Sequence, residues 1–208
     1  MNAIEVKDLP KTFGAFTAVD HITFDVKKGE IFGFLGANGA GKTTAMRMLC
    51  GLLLPSSGSG TVAGYDIATQ SEDIKKNIGY MSQKFSLYND LTVRENIRFY
   101  GGLYDIPSKE LKLKSEALLE RLGLTAYANK LLSSLPLGWK QKLAFSVAIQ
   151  HKPSIVFLDE PTGGVDPITR RQFWDMIYEA SNDGLTVFAT THYMDEAVQA
   201  DRVIVMDK

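Results

Sequence analysis

The run Gly36-Ala37-Asn38-Gly39-Ala40-Gly41-Lys42-Thr43 constrains this chain more than any other stretch. It matches the pattern Gly-x-x-x-x-Gly-Lys-Ser/Thr. It follows the apolar segment Ile31-Phe32-Gly33-Phe34-Leu35 and precedes a segment that reads as a helix to about Leu54. Strand, glycine-rich turn and helix in this order form a cradle for phosphate. Glycines let successive backbone N–H groups turn inward around anionic oxygens, and the helix adds the positive end of its dipole. Lys42 supplies a point charge for terminal phosphates, and the Thr43 hydroxyl suits Mg2+. At average glycine usage, a chance match in a chain of this length is on the order of 1%, before context is considered.

A phosphate cradle needs a carboxylate opposite it. Ser154-Ile155-Val156-Phe157-Leu158-Asp159-Glu160 offers an apolar run followed by two acids, the pattern of a buried strand that delivers charge at its end. Asp159 is expected to hold Mg2+, directly or through water, and Glu160 to polarise an attacking water as general base.

The remaining pattern alternates strands and helices. Ile22, Phe24 and Val26 alternate with Thr23 and Asp25, a strand signature, and Lys27-Lys28-Gly29-Glu30 reads as a turn. Short strands are expected near 61–63 and 78–81, and again at 155–158, 186–189 and 203–205. From about 84 to 150 strand signals are scarce. Thr92 and Glu95 have capping-box spacing, Leu111, Leu118, Leu119 and Leu122 suggest a helix ended by Gly123, and a third helix is expected from Trp139 to His151. Asp166, Pro167 and Gly184 bracket a further helix. Such an order implies an α/β fold with a parallel or mixed sheet covered on both faces and a helical insert.

Composition narrows the function. Lys plus Arg total 23 and Asp plus Glu 24, a net charge of -1, which argues against a nucleic-acid partner. The single cysteine, Cys50, forms no internal disulfide. No apolar stretch approaches the roughly 20 residues of a spanning helix, and 1–8 carry no signal core. The chain is expected to be soluble and to reach a membrane only through a partner.

Together these motifs resemble the nucleotide-binding domain of ATP-binding cassette (ABC) transporters, over nearly all 208 residues. The resemblance implies an ABC-type P-loop fold: a mixed sheet core, an antiparallel β subdomain and the helical insert. It implies ATP and Mg2+ as cofactors, with Gly36 to Thr43 and Thr44 around the phosphates. Phe13 takes the place of the aromatic that stacks on adenine. Gln83 matches the glutamine that reaches Mg2+ or the attacking water, and His192 the switch histidine that contacts the γ-phosphate. Asp166 lies in the loop that crosses to a second subunit. The family signature, Leu-Ser-Gly-Gly-Gln, departs here to Leu135-Pro136-Leu137-Gly138-Trp139. Pro136 removes a hydroxyl and an N–H from the contact with a partner's ATP. A hydrogen bond to a charged group is worth ~1.5–3 kcal/mol. Lys140-Gln141-Lys142-Leu143-Ala144 fits the family pattern.

In this family each cassette carries one phosphate loop and one signature, so the resemblance implies a homodimer or a paired cassette closed around ATP. It also implies a transmembrane permease partner, use in export, and a place on the cytoplasmic face of the membrane. Two other readings remain open at this level: a soluble cassette unconnected with transport, and a regulatory cassette whose variant signature hydrolyses ATP weakly. Family members normally continue beyond the strand near Lys208, so a longer native polypeptide is expected.

Overall fold

The computed structural model describes residues 1–83 and 87–207. In chain order the elements are β1 (Asn2–Phe13), β2 (Phe16–Lys27), β3 (Ile31–Gly36), α1 (Lys42–Leu49), β4 (Ser59–Val62), β5 (Tyr65–Asp66), α2 (Ser71–Asn77), β6 (Ile78–Met81), α3 (Val93–Leu103), α4 (Ser108–Arg121), α5 (Leu137–Ile149), β7 (Ile155–Asp159), α6 (Pro167–Asn182), β8 (Thr186–Thr191), α7 (Met194–Ala197) and β9 (Arg202–Met206). They divide into two compact units. One comprises Met1–Gln83, Pro153–Pro161 and Trp174–Lys208, the other Lys84–Lys152 and Thr162–Phe173.

The first unit holds both sheets. Strands β2-β1-β4-β5 form an antiparallel sheet, and β6-β7-β8-β3-β9 a parallel one. Strands β3, β7 and β8 are buried at every position, as expected of central parallel strands covered on both faces. Strand β2 instead buries Phe24 and Val26 and exposes Thr23 and Lys27, the alternation of a sheet with one wet face. The core is strongly aromatic. The Phe188 ring lies 5.3–6.1 Å from the rings of Phe24, Phe32, Phe34 and Phe157. Full burial of each such ring contributes ~1.5–3 kcal/mol, and the packing sets the spacing of strands whose ends carry the site. The α/β organisation with an antiparallel β subdomain is the one the resemblance implies, and of the parallel or mixed core sheet that the sequence allows the parallel form is found.

Several boundaries differ from expectation. Helix α1 stops at Leu49 rather than near Leu54. Gly51, at φ 67°, reverses the chain, with Gly51 N–H bonding Met48 O at 3.1 Å and Leu52 N–H bonding Arg47 O at 2.9 Å, a Schellman ending. The strand expected near 61–63 is β4, but its hairpin partner β5 and helix α2 lie outside the expected pattern. Helix α2 buries only Ile74, so no apolar period announces it. Strand β8 continues past Ala189 through Thr190 and Thr191, because Leu35 of β3 still pairs with Thr191.

The second unit is helical among its described residues. The capping box at Thr92 and Glu95 forms and opens α3. Gly123, at φ 66°, ends α4 with Leu124 N–H bonding Leu119 O at 2.7 Å. Helix α5 begins at Leu137, before the expected Trp139. Pro136 takes the N-cap, and its carbonyl accepts from Trp139 and Lys140 N–H. No helix among the described residues is long and apolar enough to cross a membrane.

Candidate active site

The glycine-rich loop joins the end of β3 to α1. Gly39 and Gly41 adopt φ of 86° and 90°. A Cβ at Gly41 would stand 2.2 Å from the Ala18 carbonyl oxygen, so both backbone sign and space demand glycine there. The Lys42 ammonium is only 5% exposed and turns back onto its own loop, 2.7 Å from Gly36 O and 3.1 Å from Ala37 O. Ala40 N–H closes the turn on Ala37 O. A cavity of about 400 Å³ opens here, lined by Asn38, Gly39, Gly41, Lys42, Thr43 and Thr44 from the loop, with Gln83 and Glu160 opposite.

Parallel pairing puts the acids beside this loop. Asp159 ends β7 opposite Thr190 of β8. It is 3% exposed and accepts from Thr43 Oγ1 at 3.1 Å and from Thr190 Oγ1 at 2.7 Å. Its charge is felt nearby: the Cys50 thiol is pushed well above its ordinary range, first by burial and then by Asp159, and the Tyr80 hydroxyl rises to about 12 for the same two reasons.

Glu160 is the meeting point. Gln83 Nε2 donates to Glu160 Oε2 at 2.9 Å, and Lys42 Nζ stands 3.6 Å from Glu160 Oε1. His192 Nδ1 lies 3.2 Å from Glu160 Oε2, an ion-pair distance without hydrogen-bond geometry. Glu160 itself has φ 48°, a left-handed conformation that costs a non-glycine residue on the order of 1–3 kcal/mol. Behind His192, Thr191 Oγ1 donates to the buried Glu196 carboxylate at 2.7 Å and accepts from Tyr193 N–H at 3.0 Å.

At the rim, Phe13 pairs with Phe16 across the β1–β2 turn. Phe16 lines the cavity, together with Ala18, and Phe13 does not. Lys11 Nζ lies 5.0 Å from the centre of the Phe13 ring.

The remaining expected site residues lie in the second unit. Leu135 is buried, Pro136 caps α5, and Leu137, Gly138 and Trp139 form its first turn. The Trp139 ring meets Tyr127 edge-on at 5.3 Å. A Cβ at Gly138 would lie 2.4 Å from Thr169 Cγ2. Asp166 caps α6: its Oδ1 accepts from Ile168 and Thr169 N–H at 3.0 Å each, and its Oδ2 from Thr169 Oγ1 at 2.5 Å. The Thr169 hydroxyl and amide hold the Asp166 carboxyl below the usual carboxylate range.

The model of the ABC transporter family matches residues 19–163. The chain belongs to that family. The cassette is 50% identical over 200 residues to a probable multidrug ABC transporter ATP-binding protein, YbhF, of Escherichia coli, covering 96% of this chain and 35% of that protein. It is 37% identical to the linearmycin resistance ATP-binding protein LnrL of Bacillus subtilis, covering 99% of this chain and 66% of that one. It thus spans about a third of the first relative and about two thirds of the second. Among solved structures, CbiO1 of Clostridium perfringens, part of the ABC transporter complex CbiONQ, superposes with a TM-score of 0.88 at 26% identity, covering 99% of this chain and 85% of that one.

In this ABC cassette the first unit brings Lys42, Thr43, Gln83, Asp159, Glu160 and His192 to one place. Sequence reasoning missed Phe16, Ala18 and, above all, Thr190, which touches both acids. A threonine at a strand end gives no motif, and only its register opposite Asp159 gives it weight.

Proposed function

We propose that this cassette binds and hydrolyses MgATP, closes head to tail with a second cassette, and powers export by a partner permease on the cytoplasmic face of the membrane. The observation that supports it most is the convergence of Lys42, Gln83 and His192 on the Glu160 carboxylate beside the phosphate loop.

The residues present suit the ligands. The buried Lys42 ammonium, resting on two loop carbonyls beside Glu160, is a fixed cation at the phosphate loop. Thr43 and Asp159 offer the hard oxygen donors that Mg2+ takes alongside nucleotide phosphates. Bound there, Mg2+ would neutralise charge developing on the phosphates. The loop amides and Lys42 hold the β- and γ-phosphates. Gln83 orients the attacking water, and Glu160 accepts its proton as the water oxygen bonds phosphorus and the bond to the ADP oxygen breaks. His192 contacts the γ-phosphate, and Phe13 stacks on adenine. Leu135 to Trp139 meet the ATP of the opposing cassette. Pro136 brings no hydroxyl to that contact, and α5 has no side-chain cap. Its backbone amides and dipole therefore carry the anion contact. Asp166 stands in the loop that reaches the opposing cassette.

MgATP hydrolysis by the protein tests the reading. Lys42→Ala is expected to lower it on the order of 100-fold, the scale of losing one transition-state donor. Glu160→Gln is expected to accumulate an ATP-bound dimer on size exclusion. Hydrolysis unchanged in Lys42→Ala overturns the proposal.

A further inference from the structure

We propose that Thr190 is a positioning residue whose single hydroxyl aims Asp159 and Glu160 as one unit. The inference rests on the hydrolytic reading above. Thr190 is fully buried, between β7 and β3, with Asp159 and Phe34 as its register partners. Its Oγ1 donates to Asp159 Oδ1 at 2.7 Å and accepts from Glu160 N–H at 3.1 Å. The direction of both bonds is fixed. An ionised carboxylate only accepts and an amide N–H only donates, while a hydroxyl does one of each.

The two bonds act on different properties of the site. The first orients the carboxylate meant for Mg2+. Asp159 lies between two hydroxyls, Thr43 from the loop and Thr190 from the sheet. The Thr43 hydroxyl stands 3.1 Å or more from the Asp159 oxygens, whereas that of Thr190, fully buried in a strand, lies closer at 2.7 Å. The second bond, with the Thr190 carbonyl at 3.2 Å, holds the Glu160 amide where φ is 48°. A left-handed residue relaxes toward ordinary backbone unless its amide is pinned. That conformation carries the Glu160 side chain back to Gln83 and Lys42 instead of onward along the strand. Branching at Cβ restricts the threonine side chain to few rotamers, so the hydroxyl is aimed before any ligand arrives.

Thr190→Val keeps shape and strand preference and removes both hydroxyl bonds, leaving the Glu160 amide with the residue-190 backbone carbonyl alone, and Thr190→Ser keeps the hydroxyl. Crystal structures and steady-state kinetics of both variants, beside the unmodified protein, decide the matter. In Thr190→Val the fold is expected to persist while Glu160 leaves its left-handed conformation and its 2.9 Å contact with Gln83. Its kcat should fall about 10-fold or more, the worth of a hydrogen bond to a charged group. KM for MgATP should rise by a smaller factor than kcat falls, because Asp159 is one of several groups that hold MgATP, whereas Glu160 acts on the attacking water. Thr190→Ser should restore most of kcat. If Glu160 keeps its place in the Val variant, or if Ser fails as badly as Val, the proposal is overturned. Should the unmodified protein not hydrolyse MgATP, the function proposed above fails, and the crystal comparison still judges Thr190.

Discussion

Gly138→Ala sets two physical effects against each other with opposite signs. Helix propensity alone favours alanine by up to ~1 kcal/mol within α5. The packing forbids it: the new Cβ would stand 2.4 Å from Thr169 Cγ2 and 3.4 Å from Thr169 Cβ. Thr169 cannot rotate away cheaply, because its hydroxyl is held by Asp166 Oδ2 at 2.5 Å and its amide by Asp166 Oδ1 at 3.0 Å. Overpacking of this kind costs ~1–3 kcal/mol, so the clash should outweigh propensity and leave a net loss of about 1–2 kcal/mol. In a chain of this size that is roughly 2–8 °C in Tm. Thermal unfolding by circular dichroism reads it. Thr169→Ser removes the offending methyl and keeps the bond to Asp166. The double variant should therefore recover most of the loss, with a coupling of about 1 kcal/mol in a double-mutant cycle. A stabilised Gly138→Ala, or strictly additive effects, would refute the argument that Thr169 is what makes glycine necessary there.

Other outcomes follow from the core and the helix ends. Phe188→Ala removes the ring that touches Phe24, Phe32, Phe34 and Phe157, and is expected to cost ~3–5 kcal/mol in urea unfolding; a loss below about 1 kcal/mol would show that the aromatic cluster collapses freely. Asp166 has its carboxyl held low by Thr169, so its contribution is present above the ordinary carboxylate pKa and is lost as pH falls through the depressed value. The stability gap between the unmodified protein and Asp166→Asn should therefore shrink with acid, and a gap that widens would contradict it.

The phosphate loop was legible because its chemistry dictates consecutive residues: Gly41 has no room for a side chain, and Lys42 must follow it. The acids Asp159 and Glu160 were legible as the end of an apolar run, and the capping box at Thr92 as a local bond pattern. What stayed hidden depends on residues distant in sequence. Thr190 matters through parallel register with β7, and Gly138 through the first turn of α6. Neither relation leaves a period or spacing in the chain. Helix α2 leaves no trace because its one buried residue, Ile74, gives no pattern, whereas the early stop of α1 lies in Gly51, whose left-handed turn ends the helix ahead of the apolar Leu52, Leu53 and Leu54.

The folded-back Lys42 bears on affinity. Gly36 O and Ala37 O already act as stand-ins for phosphate oxygens. An incoming phosphate oxygen competes with them and with the Glu160 carboxylate 3.6 Å away, so it gains only the difference between its own strength as an acceptor and theirs. The same arrangement keeps a buried ammonium satisfied between turnovers. In the cycle proposed above, this lysine therefore has acceptors whether or not phosphate lies beside it.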